Sequence, residues 1–180
     1  MKKISLVALL AVFQLTTSSC QKNENKDSNF NNISTPRTNS IPNELVGRWA
    51  IVSISGSTVY NIPSGSTYNT NEGFVGYQIN KDGTTKEDGY ISTYQYSIST
   101  WTKWSAVGTV EINGNSIAFH RARGSYTSSR NSAVSKFGSA EVYPNKTAFY
   151  ASFRLGTDGR GTPALLVTNA SGATITYVKQ

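Results

Sequence analysis

The chain has 180 residues, with 17 Lys or Arg against 10 Asp or Glu, so its formal net charge at pH 7 is +7. The basic residues are scattered and form no arginine-rich run, which argues against nucleic acid as a partner. A single cysteine and a single histidine exclude an intramolecular disulfide and a Cys/His metal cluster.

The N-terminus has the pattern of a bacterial secretory signal. Lys2 and Lys3 precede an apolar run over residues 4–15, and small residues at 16–19 lead to Cys20. The run is too short to span a bilayer as a helix. We therefore expect residues 1–19 to be a cleaved signal peptide.

The segment Ser18-Ser19-Cys20 resembles the end of a bacterial lipoprotein signal. That resemblance implies lipidation of Cys20 with acyl chains such as palmitate, and two or three chains hold a protein durably on a membrane. Gln21 follows the cysteine, and since aspartate there favours the inner membrane in such lipoproteins, the resemblance favours lipid anchoring at the outer membrane.

Residues 20–43 have the composition of a tether. Asn, Ser, Thr and Lys dominate, Pro36 and Pro42 interrupt the segment, and few residues are apolar. Such a segment buries too little surface to offset the entropy of ordering. We expect it to be disordered.

Residues 44–180 read as one all-β domain. No helical stripe of apolar residues is present. Thr, Val, Ile, Tyr and Phe recur between turn signals such as Lys81-Asp82-Gly83 and Asn113-Gly114-Asn115, a pattern typical of hairpins. The predicted strands cover residues 46–55, 58–61, 73–80, 89–99, 103–112, 116–123, 134–143, 147–155, 163–168 and 173–179.

Eight to ten strands joined by tight turns predict an antiparallel meander. With no helix to cover a face, such a sheet closes on itself or folds into two layers. The first interpretation is an antiparallel up-and-down β-barrel, and the alternative is a two-layer β-sandwich.

Gly47-Arg48-Trp49 on the first predicted strand, followed by a meander, resembles the lipocalin-like (calycin superfamily) barrels. The opening Leu45 to Trp49 after a lipoprotein leader is similar to that of small bacterial lipocalin-like lipoproteins. The resemblance implies that Trp49, with Gly47, forms the barrel floor, and that a late arginine stacks across the tryptophan. Here the last predicted strand carries Lys179 and no arginine.

An aromatic run on the middle strands is the richest candidate site: Tyr90, Tyr94, Tyr96, Trp101 and Trp104. Facing inward, these rings would line a ligand cavity, whereas facing outward they would form a stacking surface for glycan or protein. The third interpretation is simple core packing. The other candidate ligand or interaction residues are Tyr77, Phe119, Arg121, Phe149 and Phe153.

The polar residues give no catalytic pattern. His120 is expected to be partly exposed or to face a lumen, and Glu87 and Asp88 are expected to be solvated beside a turn. Glu111 and Glu141 are interpreted as cross-strand partners of basic residues. Without a nucleophile elbow or paired carboxylates, we expect no enzyme activity and no cofactor or metal.

Together these patterns predict a membrane-anchored lipocalin-like lipoprotein. It would bind a small hydrophobic or amphipathic ligand in the barrel interior. The alternative function is a cell-surface module that recognises glycan or protein through an exposed Tyr/Trp patch.

Overall fold

The computed structural model describes residue 30 and residues 32–52, 58–60, 67–69, 72–95 and 98–180. Within them the regular structure is β apart from one 3-10 turn at Ser139–Glu141, and no α-helix occurs. The prediction of an all-β domain is confirmed. The strands are β1 (Gly47–Val52), β2 (Thr58–Tyr60), β3 (Thr67–Asn69), β4 (Glu72–Ile79), β5 (Thr84–Gln95), β6 (Ile98–Asn113), β7 (Ser116–Ser128), β8 (Asn131–Lys136), β9 (Thr147–Tyr150), β10 (Ser152–Thr157), β11 (Pro163–Thr168) and β12 (Thr174–Lys179).

Ten strands form one antiparallel sheet in the order β10-β11-β12-β1-β4-β5-β6-β7-β8, with β9 paired to the beginning of β7. β2 and β3 form a separate hairpin. Strands that follow one another in the chain are neighbours from β4 to β8 and from β10 to β12, and β1 joins the two runs by pairing with β4 and β12. The hydrogen-bonded path is not closed, because β8 and β10 are its ends.

Two of the predicted turns require glycine. Gly114, in the β6–β7 hairpin, has a φ of 57°, and Gly83, between β4 and β5, has a φ of 80°. This left-handed region is unfavourable for residues with a Cβ. At Gly83 a Cβ would also lie 2.1 Å from the carbonyl oxygen of Thr38. The turn therefore has to contain glycine for two independent reasons.

Several predicted boundaries are wrong. β6 begins at Ile98 and not at residue 103, β8 begins at Asn131, and the predicted strand 147–155 is divided at Ala151 into β9 and β10. β5 begins at Thr84, so Glu87 lies in the strand and not beside the turn. β7 continues to Ser128 through residues predicted as loop, and β8 ends at Lys136, before the 3-10 turn. Glu87 is polar but is buried in the sheet, where it pairs with Arg121, so the apolar pattern does not mark it.

Trp49 belongs to the hydrophobic core and is 1% exposed. Its indole N–H donates to the carbonyl of Leu45 at 2.8 Å. Its sheet partner on β4 is Tyr77, which stacks on Phe119 with 4.0 Å between ring centroids. The largest fully buried side chains are Trp49, Tyr77, Tyr177, Ile41, Leu45, Ile79, Ile117, Leu165, Val107, Val110 and Val167.

The Lys179 side chain lies over the ring of Trp49. The two residues are direct partners between β12 and β1, and the Lys179 Nζ lies 5.1 Å from the Trp49 ring centroid. Gly47 has a φ of 133°, and a Cβ there would lie 3.1 Å from Cε of Lys179. A side chain at this position would thus press on the lysine stem over the tryptophan.

The N-terminal strap, residues 35–45, packs on the sheet although most of it was predicted to be disordered tether. Ile41 is fully buried, and its N–H donates to the carbonyl of Lys81 at 3.0 Å. The Thr38 N–H donates to the carbonyl of Val110 at 2.9 Å. Isolated apolar residues in a polar segment therefore suffice to order it, because the sheet supplies the rest of their apolar surroundings.

Candidate ligand-binding groove

A groove of about 390 Å³ lies over the last residues of β5, the first residues of β6 and the last residues of β7, away from the strap. This is within the range of about 300–1,000 Å³ that is typical of small-molecule pockets. β5 begins beside the strap at Thr84 and reaches the groove at Ile91. The groove is lined by Ile91, Thr93, Thr100, Trp101, Thr102, Trp104, Tyr126, Ser128, Ser129, Arg130, Phe137 and Glu141.

The strand register arranges the groove in rows. The deepest row pairs Gly89 with Trp104 and Trp104 with Tyr126. The next row runs from Ile91 through Thr102 to Ser128, and the outermost pairs Thr93 with Thr100. Because paired residues share a face of the sheet, the groove passes from an aromatic floor to hydroxyl-bearing rows at its mouth.

Glycine allows the floor rings to lie close to the backbone. A Cβ added at Gly89 would lie 2.0 Å from Cζ2 of Trp104, and one added at Gly124 would lie 2.7 Å from Cδ2 of Phe137. Phe137 follows β8, and its N–H donates to the carbonyl of Gly124 at 2.9 Å. Tyr126 stacks on Phe137 with centroids 6.0 Å apart and planes at 26°.

Beneath the floor lies a buried ion pair between Glu87 and Arg121, which are 4% and 5% exposed. Arg121 Nε donates to Glu87 Oε2 at 2.7 Å, and Arg121 Nη2 donates to Oε1. The Trp104 indole N–H donates to the same Oε1 at 2.8 Å. The Arg121 Cζ also lies 5.3 Å from the Phe137 ring centroid. Two floor rings thus contact the ion pair directly.

The Glu87 carboxylate keeps Arg121 charged inside the protein. Burial by itself lowers the pKa of the guanidinium, but the Glu87 charge and its hydrogen bonds more than reverse this, so the pKa of Arg121 is raised from its ordinary value. A buried charge that loses such a partner is strongly destabilising. We therefore expect Glu87 and Arg121 to act as one unit in the fold.

A β-bulge brings Arg121 into this position. The pairing of β6 with β7 passes from Val107↔Arg123 to Gly108↔Arg121 and skips Ala122. An extra residue reverses which side chains of a strand face a given side. Tyr126 on one side of the bulge and Arg121 on the other therefore both face the interior, although strict alternation would separate them.

Two buried donors beside the ion pair have no hydrogen-bond partner among the described residues. They are the Tyr77 hydroxyl and Nη1 of Arg121. Both residues border a cavity of about 10 Å³, which is near the smallest size that admits one water molecule. Burial, and then the Glu87 charge, raise the pKa of the Tyr77 phenol well above its ordinary value, so this phenol is neutral at physiological pH.

The charged residues of the lining are of opposite sign. Glu141 caps the 3-10 turn, because its Oε2 accepts the Gly138 N–H at 2.7 Å. Arg130 is exposed, and no described residue pairs with its guanidinium. Ser129 Oγ accepts the Trp101 N–H at 3.1 Å and so ties the β7–β8 turn to β6.

The predicted aromatic run is divided between the two faces of the sheet. Trp104 is on the groove floor. Trp101 borders the groove, although its pairing with Ser92 puts its side chain on the face opposite Thr100 and Thr102. Tyr90 and Tyr94 alternate with the groove residue Ile91 along β5, so they face the other side. Tyr94 is 58% exposed. Tyr96 and the lipidation candidate Cys20 lie outside the described residues.

The remaining candidates lie outside the groove. Tyr77 and Phe119 stack on each other in the core, so they are packed and do not line an open cavity. Phe153 is half-buried against the core, while Phe149 is 54% exposed. Arg121, a candidate ligand or interaction residue, is buried with Glu87.

His120 is buried between polar neighbours and is not open to a lumen. Its Nε2 lies 3.0 Å from Oε2 of Glu111, and its Nδ1 lies 3.1 Å from Oγ1 of Thr147. Glu111 therefore pairs with a histidine and not with the expected lysine or arginine. This arrangement joins β6, β7 and β9.

The residues of the site that sequence reasoning missed include Glu87, Gly89, Tyr126 and Phe137. Gly89 is the one with a usable signal, since an isolated glycine inside a strand often marks the close approach of another group. Tyr126 and Phe137 lie in segments interpreted as a loop and the next strand. Their proximity depends on the length of β7 and the chain path after β8.

No protein-family model, no curated protein and no solved structure matches this chain. Among the described residues there is no helix with the length and apolar character needed to span a bilayer. In the same part of the chain, no group of three or more His, Cys, Asp and Glu side chains is gathered as a metal site would require.

Proposed function

We propose that the protein is a membrane-anchored, lipocalin-like lipoprotein that binds a small amphipathic ligand and catalyses no reaction. The observation that carries the proposal is the groove, with an aromatic floor at Trp104 and Tyr126 and hydroxyl groups at its mouth. The apolar part of a ligand would contact the floor, where burial contributes about 25 cal/mol per Å². Its polar part would meet the threonine and serine hydroxyls.

The pairing of β9 and β10 supports a barrel as the fold behind this function. β9 pairs with β7 and β10 pairs with β11, and only Ala151 separates the two strands. If they are counted as one bent strand, the pairing continues around β1, β4, β5, β6, β7, β9/β10, β11 and β12. An up-and-down barrel of this strand number is typical of lipocalins. A two-layer sandwich is the alternative arrangement.

The contact between Lys179 and Trp49 supports the lipocalin-like part of the proposal. The resemblance implies a cation across the tryptophan of the first strand, and Lys179 Nζ lies 5.1 Å from that ring. Lysine would then replace the usual arginine. Cation–π attraction depends on the charge over the ring face, which both residues supply.

The strap supports an orientation for the proposed anchor. It contacts Lys81 and Val110, at the end of the sheet opposite the groove. A chain anchored through Cys20 would therefore meet the domain where Thr38 contacts Val110, away from the groove.

A matched pair of substitutions tests the groove. Thr102→Trp would place a large ring in the middle row, whereas Lys103→Trp would place it on the other face, beside Tyr90. Delipidated protein should take up the apolar fluorophore N-phenyl-1-naphthylamine, and Thr102→Trp should abolish the uptake. Equal uptake by both variants, or none by the unmodified protein, would remove the proposal.

A second candidate function rests on the exposed tip of the β5–β6 hairpin. Tyr94 and Ile98 are 58% and 63% exposed there. Aromatic side chains at such places are common in protein interfaces. Glycan-array or pull-down binding that Tyr94→Ala abolishes, with fluorophore uptake absent, would favour this surface module.

A further inference from the structure

We infer that the groove takes a neutral saccharide, whose ring lies with one face on the aromatic floor and its hydroxyls toward the threonine and serine rows. This inference rests on the proposed function and names the class of ligand. It depends on three independent features: the aromatic rings that lie against glycine backbone, the rows of threonine and serine hydroxyls, and the balance of charge in the lining.

The seating of Trp104 and Phe137 gives the floor its shape. Each ring approaches the backbone of a glycine, Gly89 or Gly124, too closely for a Cβ to fit between them. A ring seated in this way lies along the sheet instead of standing on it. Trp104 is 8% exposed, and Phe137 stacks on Tyr126 and lies beside Arg121, so the half-buried Tyr126 is the floor ring that would pack against a flat partner. The C–H groups on one face of a pyranose carry the partial positive charge that an aromatic π-face attracts.

The rows above the floor suit a ligand with many hydroxyls. Thr102 and Ser128 share one row, and Thr93 and Thr100 form the next, where their Oγ1 atoms are 2.6 Å apart. A hydroxyl both donates and accepts, as sugar hydroxyls do. Thr93 and Thr100 bond each other, but a hydrocarbon chain over Thr102 would bury a hydroxyl that no described side chain partners, which is unfavourable.

The charges of the lining favour a neutral ligand. Arg130 and Glu141 are its charged residues among those described, and they cancel. An anionic head group would be drawn to Arg130, but no second cation of the lining would assist it, and the Glu141 carboxylate would oppose it. Clusters of cations are the usual sites for anionic groups.

The test is tryptophan fluorescence and titration calorimetry of the full delipidated chain with cellobiose, maltose and chitobiose. At least one disaccharide should bind with a dissociation constant below about 10 mM. Tyr126→Ala should weaken binding about 10-fold or more, as expected for loss of a stacked ring. Thr102→Val, which keeps the shape but removes one hydroxyl, should weaken it about 2- to 10-fold.

Matched controls separate the groove from the rest of the surface. Tyr94→Ala removes a tyrosine from the other face of β5 and should leave saccharide binding unchanged. Gly89→Ala would force the Trp104 ring toward the groove and should weaken binding, whereas Gly159→Ala, where nothing lies within 4 Å of the added Cβ, should not.

The outcomes distinguish the inference from the proposed function. Fluorophore uptake that Thr102→Trp blocks, without binding of any of the three disaccharides, would overturn the saccharide and leave the groove's function intact. Loss of both kinds of binding would overturn both. Saccharide binding that Tyr94→Ala abolishes and Tyr126→Ala does not would place it on the outer face and also overturn the inference.

Discussion

The indole N–H of Trp104 donates to Glu87 Oε1 at 2.8 Å, so a carboxylate buried beneath the groove fixes a ring of its floor. The same carboxylate binds Arg121 through two hydrogen bonds. The position of the ring therefore depends on an ion pair that no ligand in the groove would touch. Removing one member of the pair should affect both stability and the groove.

We expect Glu87→Leu to destabilise the protein by about 3–5 kcal/mol, because it leaves the Arg121 charge buried without its partner. The double variant Glu87→Leu/Arg121→Met should regain most of that loss, since replacement of a whole buried pair by apolar residues is often neutral. Urea denaturation of the single and double variants, analysed as a double-mutant cycle, measures the coupling. Additive losses in the double variant would contradict a coupled pair.

The cation over Trp49 gives a smaller, separable prediction. Lys179→Met keeps the apolar stem but removes the charge, and should cost about 0.5–1 kcal/mol in the free energy of unfolding. Lys179→Arg keeps a cation and should cost less. Thermal unfolding of both variants checks the order, and the account of the Trp49 contact fails if methionine is tolerated as well as arginine.

A substitution outside the strap can release it from the sheet. Gly83→Ala and Gly114→Ala both force alanine into a left-handed conformation, at about 1–2 kcal/mol, but only the Cβ at position 83 meets the strap, at the Thr38 carbonyl. Hydrogen exchange at the Thr38 and Ile41 amides should accelerate in Gly83→Ala alone. Equal acceleration in both variants would mean that exchange at these amides depends only on the global stability of the protein.

The buried tyrosines predict a loss of stability in alkali. Burial raises the pKa of Tyr150, and burial together with nearby phenols raises that of Tyr177 well above its ordinary value. The folded state therefore holds these protons more tightly than the unfolded chain. Their contribution is fully present below about pH 10, the ordinary tyrosine pKa, and is lost as the pH rises above it.

Near-ultraviolet absorbance during an alkaline titration measures this effect. Among the chain's ten tyrosines, a late-ionising group should be visible whose release coincides with unfolding. Tyr177→Phe should reduce that group by one phenol, and it should also cost about 1 kcal/mol through loss of the 3.0 Å hydrogen bond to Tyr150. Ionisation of all tyrosines in one early step, with the fold intact, would contradict the burial.

The sequence predicted well those parts of the fold that depend on local pattern. The turns at Gly83 and Gly114 and the strand Pro163–Thr168 follow from alternation and turn chemistry. The positions of Glu87 and the strap were predicted wrongly because both depend on contacts with residues far away in the sequence. The partner of Glu87 is Arg121, and that of Ile41 is Lys81. Polar and tether-like segments reveal such contacts only in three dimensions.

The site was predictable only in part for a related reason. Trp104 was recognised as a candidate because of its residue type, but Tyr90 and Tyr94 were grouped with it although they face the other side of the sheet. The bulge at Ala122 then reverses the alternation of β7. A bulge leaves no clear signal in one sequence, so the joint position of Arg121 and Tyr126 could not be derived.

Native mass spectrometry of the protein taken from its own membrane tests the central claim most directly. We expect acyl chains on Cys20 and one retained small molecule, which is absent from the Thr102→Trp variant and present in Lys103→Trp. A protein that carries no small molecule, or one that both variants retain equally, would contradict the claim that the groove above Trp104 is the binding site.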